Sequence, residues 1–415
     1  MNSKQGQVDM LDNTLTLILA GGVGSRLAPL TSERAKPAVP FGGKYRIIDF
    51  TLANCVHSGL RRILVLTQYK SHSLQKHLRD GWSIFNPELG EYITPVPPQM
   101  RTGEDWYSGT ANAIHQNLYL LERSGAEYVV ILSGDHIYRM DYASMIQQHV
   151  DNKADLTVAC MEVSVDEARS FGVMETDTEN KILSFSEKPD QPITIAGKPD
   201  RAMASMGIYV FSMDLLLESL TNDYGDEASS HDFGKDIIPS LINEHAVFAH
   251  PFGGSEGRVS QDCYWRDVGT IDAYYEANMD LLKPVPPIDL YQEDWTIRTH
   301  QQQWPPARTV PGALGNEGIF INSIVAGGTI IAGGSVQESI LFPRVFVGDE
   351  AFVERSLLFE GVKVGDGAQL KNCIVDKHVE IPANTQIGYE PERDAERFTI
   401  SPAGIVVVPK GYVFS

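Results

Sequence analysis

The chain has 415 residues, 42% of them apolar, and a formal net charge of −20 at pH 7. That length exceeds one ordinary core and predicts two or three folded domains. The negative field argues against nucleic acid or an anionic membrane surface as partner, and no run of about eighteen uncharged apolar residues offers a membrane span. The polar start, Met1 to Asn13, lacks the basic and apolar regions of a secretory signal, so the expected location is the cytoplasm. Cys55, Cys160, Cys263 and Cys373 lie far apart without a Cys-x-x-Cys pair, and read as reduced thiols rather than zinc ligands or a disulfide framework. A small phosphorylated substrate stays possible, because Arg26, Arg34, Lys36, Lys44 and Arg46 gather within the first fifty residues.

Over the first two-thirds of the chain, short β-branched runs alternate with amphipathic segments, the pattern of an α/β domain with a mostly parallel sheet. In chain order, strands are predicted at 15–20, 62–66, 128–132 and 156–159, with helices at 54–58, 71–78, 112–123 and 142–150. Prolines 284, 286, 287, 305, 306 and 311 then mark a linker, giving a first domain over 1–283, a linker over 284–318 and a last domain over 319–415. In that last domain apolar residues recur at Ile330, Val347, Val364 and Ile381, a step of seventeen, each followed six residues later by Val336, Val353, Leu370 or Ile387. Ser339, Ser356 and Cys373 keep the same step, and Gly333, Gly348, Gly365, Gly367 and Gly388 take corner positions. A hexapeptide unit stacked three to a coil accounts for this constant step, which a β-sandwich does not require.

The chemistry-bearing residues begin where the first strand runs into Gly21-Gly22-Val23-Gly24-Ser25-Arg26-Leu27. Glycines let the backbone approach a triphosphate and aim its amides at the phosphate oxygens, with a following helix adding its positive end. The dinucleotide fingerprint fails at Leu27, and the Lys-Ser/Thr pair of a Walker loop is absent. By itself the loop is equally readable as a tight turn. Arg34 and Lys36 follow within a few residues, and such cations are what an in-line phosphoryl-transfer transition state and a departing pyrophosphate need.

The string AGGVGSRLAPLTSERAKPAVPFGGKYRIIDF closely resembles the signature of the sugar nucleotidyltransferase family, and its second half the bacterial-type, ADP-glucose-forming branch. The resemblance continues through DWYSGTANAI, VVILSGDHIY, FGVMETD, FSEKP, ASMGIYVF, SSHDFGKDIIP and YWRDVGT. It implies a Rossmann-like nucleotidyltransferase domain with a mostly parallel mixed sheet, followed by a left-handed parallel β-helix. It also implies the reaction of ATP with α-D-glucose 1-phosphate to give ADP-glucose and pyrophosphate, for glycogen or starch synthesis.

Carried over position by position, the resemblance gives Mg²⁺ to Asp135 and Asp267, hard carboxylates that suit that ion. Gly21, Gly22, Gly24, Arg26, Lys36, Gln99 and Gly109 fall on the nucleotide side. Lys188 would grip the sugar phosphate, with Tyr107, Gly172, Glu187 and Ser205 as further glucose 1-phosphate contacts. Family members are tetramers, here expected to be homotetramers, controlled by phosphorylated metabolites; Arg34, Arg46 and Arg123 match their anion-binding positions. Glu33 and Pro40 depart from the lysine and histidine found in some bacterial members, which puts activation by fructose 1,6-bisphosphate in doubt.

Read without the resemblance, Asp135 is a turn or cap residue, Glu187-Lys188 a solvated pair before a proline, and Gln99 a solvated loop side chain. Asp232-Phe233-Gly234 lacks the other kinase signatures. Three alternatives stay open: a sister enzyme using UTP, dTTP or GTP, an acyltransferase of the hexapeptide type, and a non-catalytic regulatory subunit. The acyltransferase is disfavoured because the repeat holds one histidine, His378; the regulatory subunit, because Arg26, Lys36, Asp135, Lys188 and Asp267 are all present.

Overall fold

The central strands are apolar along their whole length because both faces of their sheet are covered. In Thr14–Ala20, Leu15 and Leu17 enter one core while Ile18 and Ala20 enter another; in Tyr128–Ser133, Val129 and Ile131 separate from Val130 and Leu132 in the same way. The first core is roofed by helices Thr110–His115, Leu118–Ser124 and Met213–Tyr224, the second by Ile48–His57, His72–Trp82, Tyr142–Asp151 and Ile271–Asp280. The computed structural model describes residues 3–99, 106–253 and 263–414, which leaves Asp105 of the DWYSGTANAI motif outside.

Tyr92–Val96, Arg62–Thr67, Thr14–Ala20 and Tyr128–Ser133 lie side by side and parallel. The long strand Arg201–Ser212 runs antiparallel to the last of these. It carries Leu156–Ser164 with Val247–Pro251 beyond it, and also Gly172–Thr176 with Ile182–Glu187. The result is a mixed sheet of nine strands among the described residues.

The helix expected at 112–123 is broken in two. Asn117 stands at the break with φ −118° and ψ 16°, and its Nδ2 donates to the Ala113 carbonyl at 2.8 Å and to the Tyr107 hydroxyl at 3.0 Å. A side-chain amide that bonds the preceding turn competes with the helix ladder. The helix expected at 54–58 starts earlier, at Ile48, because its polar residues are buried: Asp49 accepts from Trp82 Nε1 at 2.8 Å and faces His77 Nε2 at 2.6 Å.

The C-terminal repeat folds as three sheets of stacked short parallel strands, one of them closed by the antiparallel strand Thr399–Ile400, a three-sided β-helix. Val336, Val353, Leu370 and Ile387 pair in register and fill the prism. The other column is Ile331, Val347, Val364 and Ile381: its first member is Ile331 and not Ile330, since the first step is sixteen residues and the Gly333-Gly334 corner is one residue shorter. The corners need left-handed backbone, and they obtain it from other residues as well as glycine: Asn322, Glu338, Arg355 and Asn372 have φ of 44–47°. Ser339 and Ser356 form a buried ladder in which each hydroxyl accepts from the backbone N–H seventeen residues on, that of Ser356 or Cys373.

Arg308–Val310 pairs with Ile330–Ala332, so the first coil begins inside the stretch that the prolines mark as linker. The rest of that stretch is a strap on the first domain: Trp295 is fully buried, its Nε1 donates to Asn54 Oδ1 at 3.1 Å, and its ring stacks on His57. The two domains share a core. Ile340, Leu357, Ile374 and Val407 point out of one β-helix face into the second core of the sheet domain, while Leu341, Leu358 and Val375 point into the prism. Among the described residues no helix is long and apolar enough to cross a membrane.

Candidate active site

The carboxyl ends of the parallel strands place the glycine loop and Asp135 side by side, where ligands bind in open α/β sheets. Gly24 takes φ 64° and ψ 31°, and a Cβ there would press on Thr31 and Lys36 at 3.1 and 3.2 Å. The loop leads into a single 3-10 turn, Ser25–Leu27, rather than the expected helix, so no helix macrodipole points at it.

Asp135 follows Tyr128–Ser133 across Gly134, whose amide donates to the Leu19 carbonyl at 3.0 Å. Asp267 ends the strand Trp265–Asp267, which pairs antiparallel with His136–Tyr138 so that Asp267 faces His136. Lys36 Nζ sits between the two carboxylates, 2.9 Å from Asp135 Oδ2 and 2.9 Å from Asp267 Oδ1. Ser133 Oγ donates to Asp135 Oδ1, and His136 Nε2 lies 3.6 and 3.9 Å from the two aspartates. Burial opposes the charge on Lys36, yet the carboxylates outweigh it and hold the ammonium above its ordinary pKa. Burial likewise opposes ionisation of Asp135, but Lys36 and His136 hold that carboxyl far below the carboxylate range. The cavity of about 230 Å³ beside this cluster is lined by Gly22, Gly24, Ser25, Arg26, Asp135 and Gly269 among others. Arg26 is exposed, and a Cβ on Gly269 would stand 3.2 Å from its Nη2 and 3.0 Å from Asp267 Oδ1.

A second group of side chains stands at the antiparallel end of the sheet. Glu187 ends its strand opposite Gly172, and Lys188 follows with φ 46°, its Nζ 2.5 Å from Glu187 Oε1. A Cβ on Gly172 or on Gly234 would collide with Glu187 Oε2, so both positions need hydrogen. Ser205 is buried, its hydroxyl accepting from Gly207 N at 3.2 Å. Tyr107 receives Asn117 Nδ2 on its hydroxyl, and its carbonyl accepts from Gln68 Nε2 at 3.4 Å. Three contacts join the two groups: the Phe171 carbonyl accepts from Lys188 N at 3.0 Å, the Phe171 ring meets Trp265 edge-on, and Trp265 meets His136.

Not every expected residue joins these groups. Gln99 is exposed and donates to the Pro97 carbonyl at 2.8 Å. At Gly109 a Cβ would overlap the His231 carbonyl, so the position needs glycine. Of the three arginines, Arg34 and Arg46 lie close enough to act on one another and on Lys377, while Arg123 stands apart. Arg34 is buried in an ion pair with Asp376 of the β-helix at 2.8 Å, Arg46 lines an interdomain pocket, and Arg123 stands over Tyr119 on a helix covering the opposite face of the sheet. Sequence reasoning does not single out His136, Ser133 or Gly234 as site residues. The signal for the first two is adjacency to Asp135, and for Gly234 only the fold reveals the contact.

With this geometry in place, the class follows. Residues 15–284 match the nucleotidyl transferase family, and residues 305–408 match a GlmU-like, C-terminal hexapeptide domain. The chain belongs to the nucleotidyl transferase family. Its relatives include a protein of Vibrio cholerae named glucose-1-phosphate adenylyltransferase 2, 63% identical over 98% of this chain and 100% of the relative. A protein of the same name from Vibrio vulnificus is 65% identical over 97% and 100%. A glucose-1-phosphate adenylyltransferase of Dechloromonas aromatica is 50% identical over 95% of this chain and 90% of its own.

Proposed function

We propose that this chain catalyses the reaction of ATP with α-D-glucose 1-phosphate to give ADP-α-D-glucose and pyrophosphate, supplying the glucosyl donor for glycogen synthesis. The observation that carries the reading is the Lys36 ammonium held between Asp135 and Asp267 beside an open glycine loop, in a chain with adenylyltransferase relatives of matching length. A phosphate oxygen of glucose 1-phosphate is already an anionic nucleophile. The site therefore needs no general base, only alignment and relief of charge repulsion.

Gly21, Gly22 and Gly24 amides, Arg26 and Lys36 would receive the β- and γ-phosphates, and Lys188 the attacking phosphate. Gly172, Glu187, Ser205 and Tyr107 would frame the sugar, with Gln99 and Gly109 on the nucleotide side. The oxygen set of Asp135 and Asp267 suits Mg²⁺, which when bound supplies charge neutralisation of the triphosphate. A bound triphosphate would give Lys36 further anionic partners, and Asp135 and Asp267 are the residues that would hold the ion. A phosphoanhydride replaces a phosphoanhydride, so the step is reversible and pyrophosphate removal draws it forward.

The reading extends to a cytoplasmic homotetramer controlled by phosphorylated metabolites. The interdomain pocket of about 550 Å³ lined by Lys44, Arg46 and Lys377 is the anion site that such control calls for, while Glu33 pairs with Lys410. The test is pyrophosphate release from ATP, UTP, dTTP and GTP with glucose 1-phosphate and Mg²⁺, with and without fructose 1,6-bisphosphate. Selective release with ATP is expected. Release with another nucleotide moves the protein to a sister specificity, and silence with all four overturns the catalytic reading.

A further inference from the structure

Behind the candidate site lies a buried carboxylate that the mechanism does not use. Asp280 is 5% exposed and ends the helix Ile271–Asp280, where an acid is on the unfavourable side of the helix dipole. Among the described residues three partners surround it: Tyr264 OH at 2.8 Å and Arg266 Nη2 at 3.6 Å on one oxygen, Lys283 Nζ at 2.6 Å on the other. Tyr264 and Arg266 alternate with Trp265 and Asp267. Side chains of an extended segment alternate faces, so the pair that reaches Asp280 lies opposite the pair that reaches the site. On the site face Asp267 meets Lys36 and Trp265 meets His136 and Phe171.

We propose that Asp280 is a positioning residue for Asp267: by holding Tyr264 and Arg266 from behind, it fixes the depth and rotation of the strand that presents the metal-binding carboxylate. The helix that carries Asp280 is itself tied down on both sides. Tyr274 OH donates to the Pro40 carbonyl, just beyond Lys36, and Tyr275 OH donates to the Arg355 carbonyl of a β-helix corner at 2.6 Å. One helix therefore sets Asp267 relative both to the Lys36 turn and to the β-helix. The Arg355 side chain lines the groove that Arg266 and Lys283 share. The proposal rests on the adenylyltransferase reading for its kinetic consequence but not for its binding consequence.

The experiment uses the full-length chain with Asp280→Asn, Asp280→Glu and Tyr264→Phe. Mn²⁺ binding is followed by electron paramagnetic resonance with ADP-glucose present, and turnover is followed as a function of Mg²⁺, ATP and glucose 1-phosphate. Asp280→Asn is expected to weaken Mn²⁺ binding and raise the half-saturating Mg²⁺ by about tenfold, with KM for glucose 1-phosphate changed less than about twofold. Tyr264→Phe should shift both in the same direction by less, and add little to Asp280→Asn in the double variant, since the one contact it removes is already altered there. Asp280→Glu should recover part of the affinity. Wild-type metal affinity in both Asp280→Asn and Tyr264→Phe overturns the proposal, as does an equal fall in all kinetic constants that follows the melting temperature. If Asp280→Asn does not fold, Tyr264→Phe decides alone. A wild-type protein that binds Mn²⁺ but releases no pyrophosphate sinks the catalytic reading and leaves the metal-binding comparison to judge Asp280.

Discussion

Lys36 is the residue on which the site turns. Its ammonium separates two carboxylates that otherwise repel one another, and the same charge is available to a triphosphate. Lys36→Ala is expected to lower kcat/KM for ATP by about 10²–10³, the usual loss on removing one transition-state donor, measured as pyrophosphate release. Gly234 offers a subtler test. Its missing side chain leaves room for the Glu187 carboxylate, so Gly234→Ala should displace Glu187 and raise KM for glucose 1-phosphate about tenfold. KM for ATP should stay near wild type; an equal rise in both would place Glu187 away from the sugar.

Among the elements, Tyr142–Asp151 shows how burial sets a pH limit. His149 is 1% exposed, with Nδ1 at 2.9 Å from Thr157 Oγ1 and Nε2 at 3.3 Å from Ser212 Oγ, and burial lowers its pKa from 6.5 to about 4. The folded state keeps this ring neutral while the unfolded chain protonates it near its ordinary pKa. Stability is therefore full above about pH 6.5 and falls as pH drops toward 4, by on the order of 3 kcal/mol for this one group. Urea midpoints compared between pH 7.5 and 4.5 should show a smaller loss for His149→Gln than for wild type. The β-helix elements are legible from spacing, because a stacked coil must repeat. Its first coil is not: the step changes to sixteen at the Gly333-Gly334 corner, and Arg308–Val310 sits among prolines that signal a linker.

For the molecule as a whole, the joint between domains is a shared apolar core with one buried ion pair inside it. Arg34 and Asp376 have side-chain exposures of 7% and 2%. Removing one partner of such a pair leaves an uncompensated charge, so Asp376→Ala should destabilise by about 3–5 kcal/mol. The double substitution Arg34→Met with Asp376→Leu should recover most of that in a denaturant titration. A single value for both single and double variants would mean that the charge is not desolvated. This joint engages Nη2 of Arg34, whose charge also acts on Arg46 and Lys377.

The α/β sheet and the stacked-coil domain can be read along the chain, whereas the residues of the candidate site come from the resemblance of its motifs to a known family. Strand alternation, glycine at a sharp turn and the seventeen-residue step are local consequences of covalent geometry. Which of those residues meet is a matter of tertiary packing. It brought Lys36, Asp135 and Asp267 together from 231 positions of sequence separation, set His136 beside them, aligned Gly172 and Gly234 against Glu187, and put Arg123 across the sheet from Arg34 and Arg46. Such meetings depend on how sheets, helices and coils pack, and packing is a property of the whole chain rather than of any window along it.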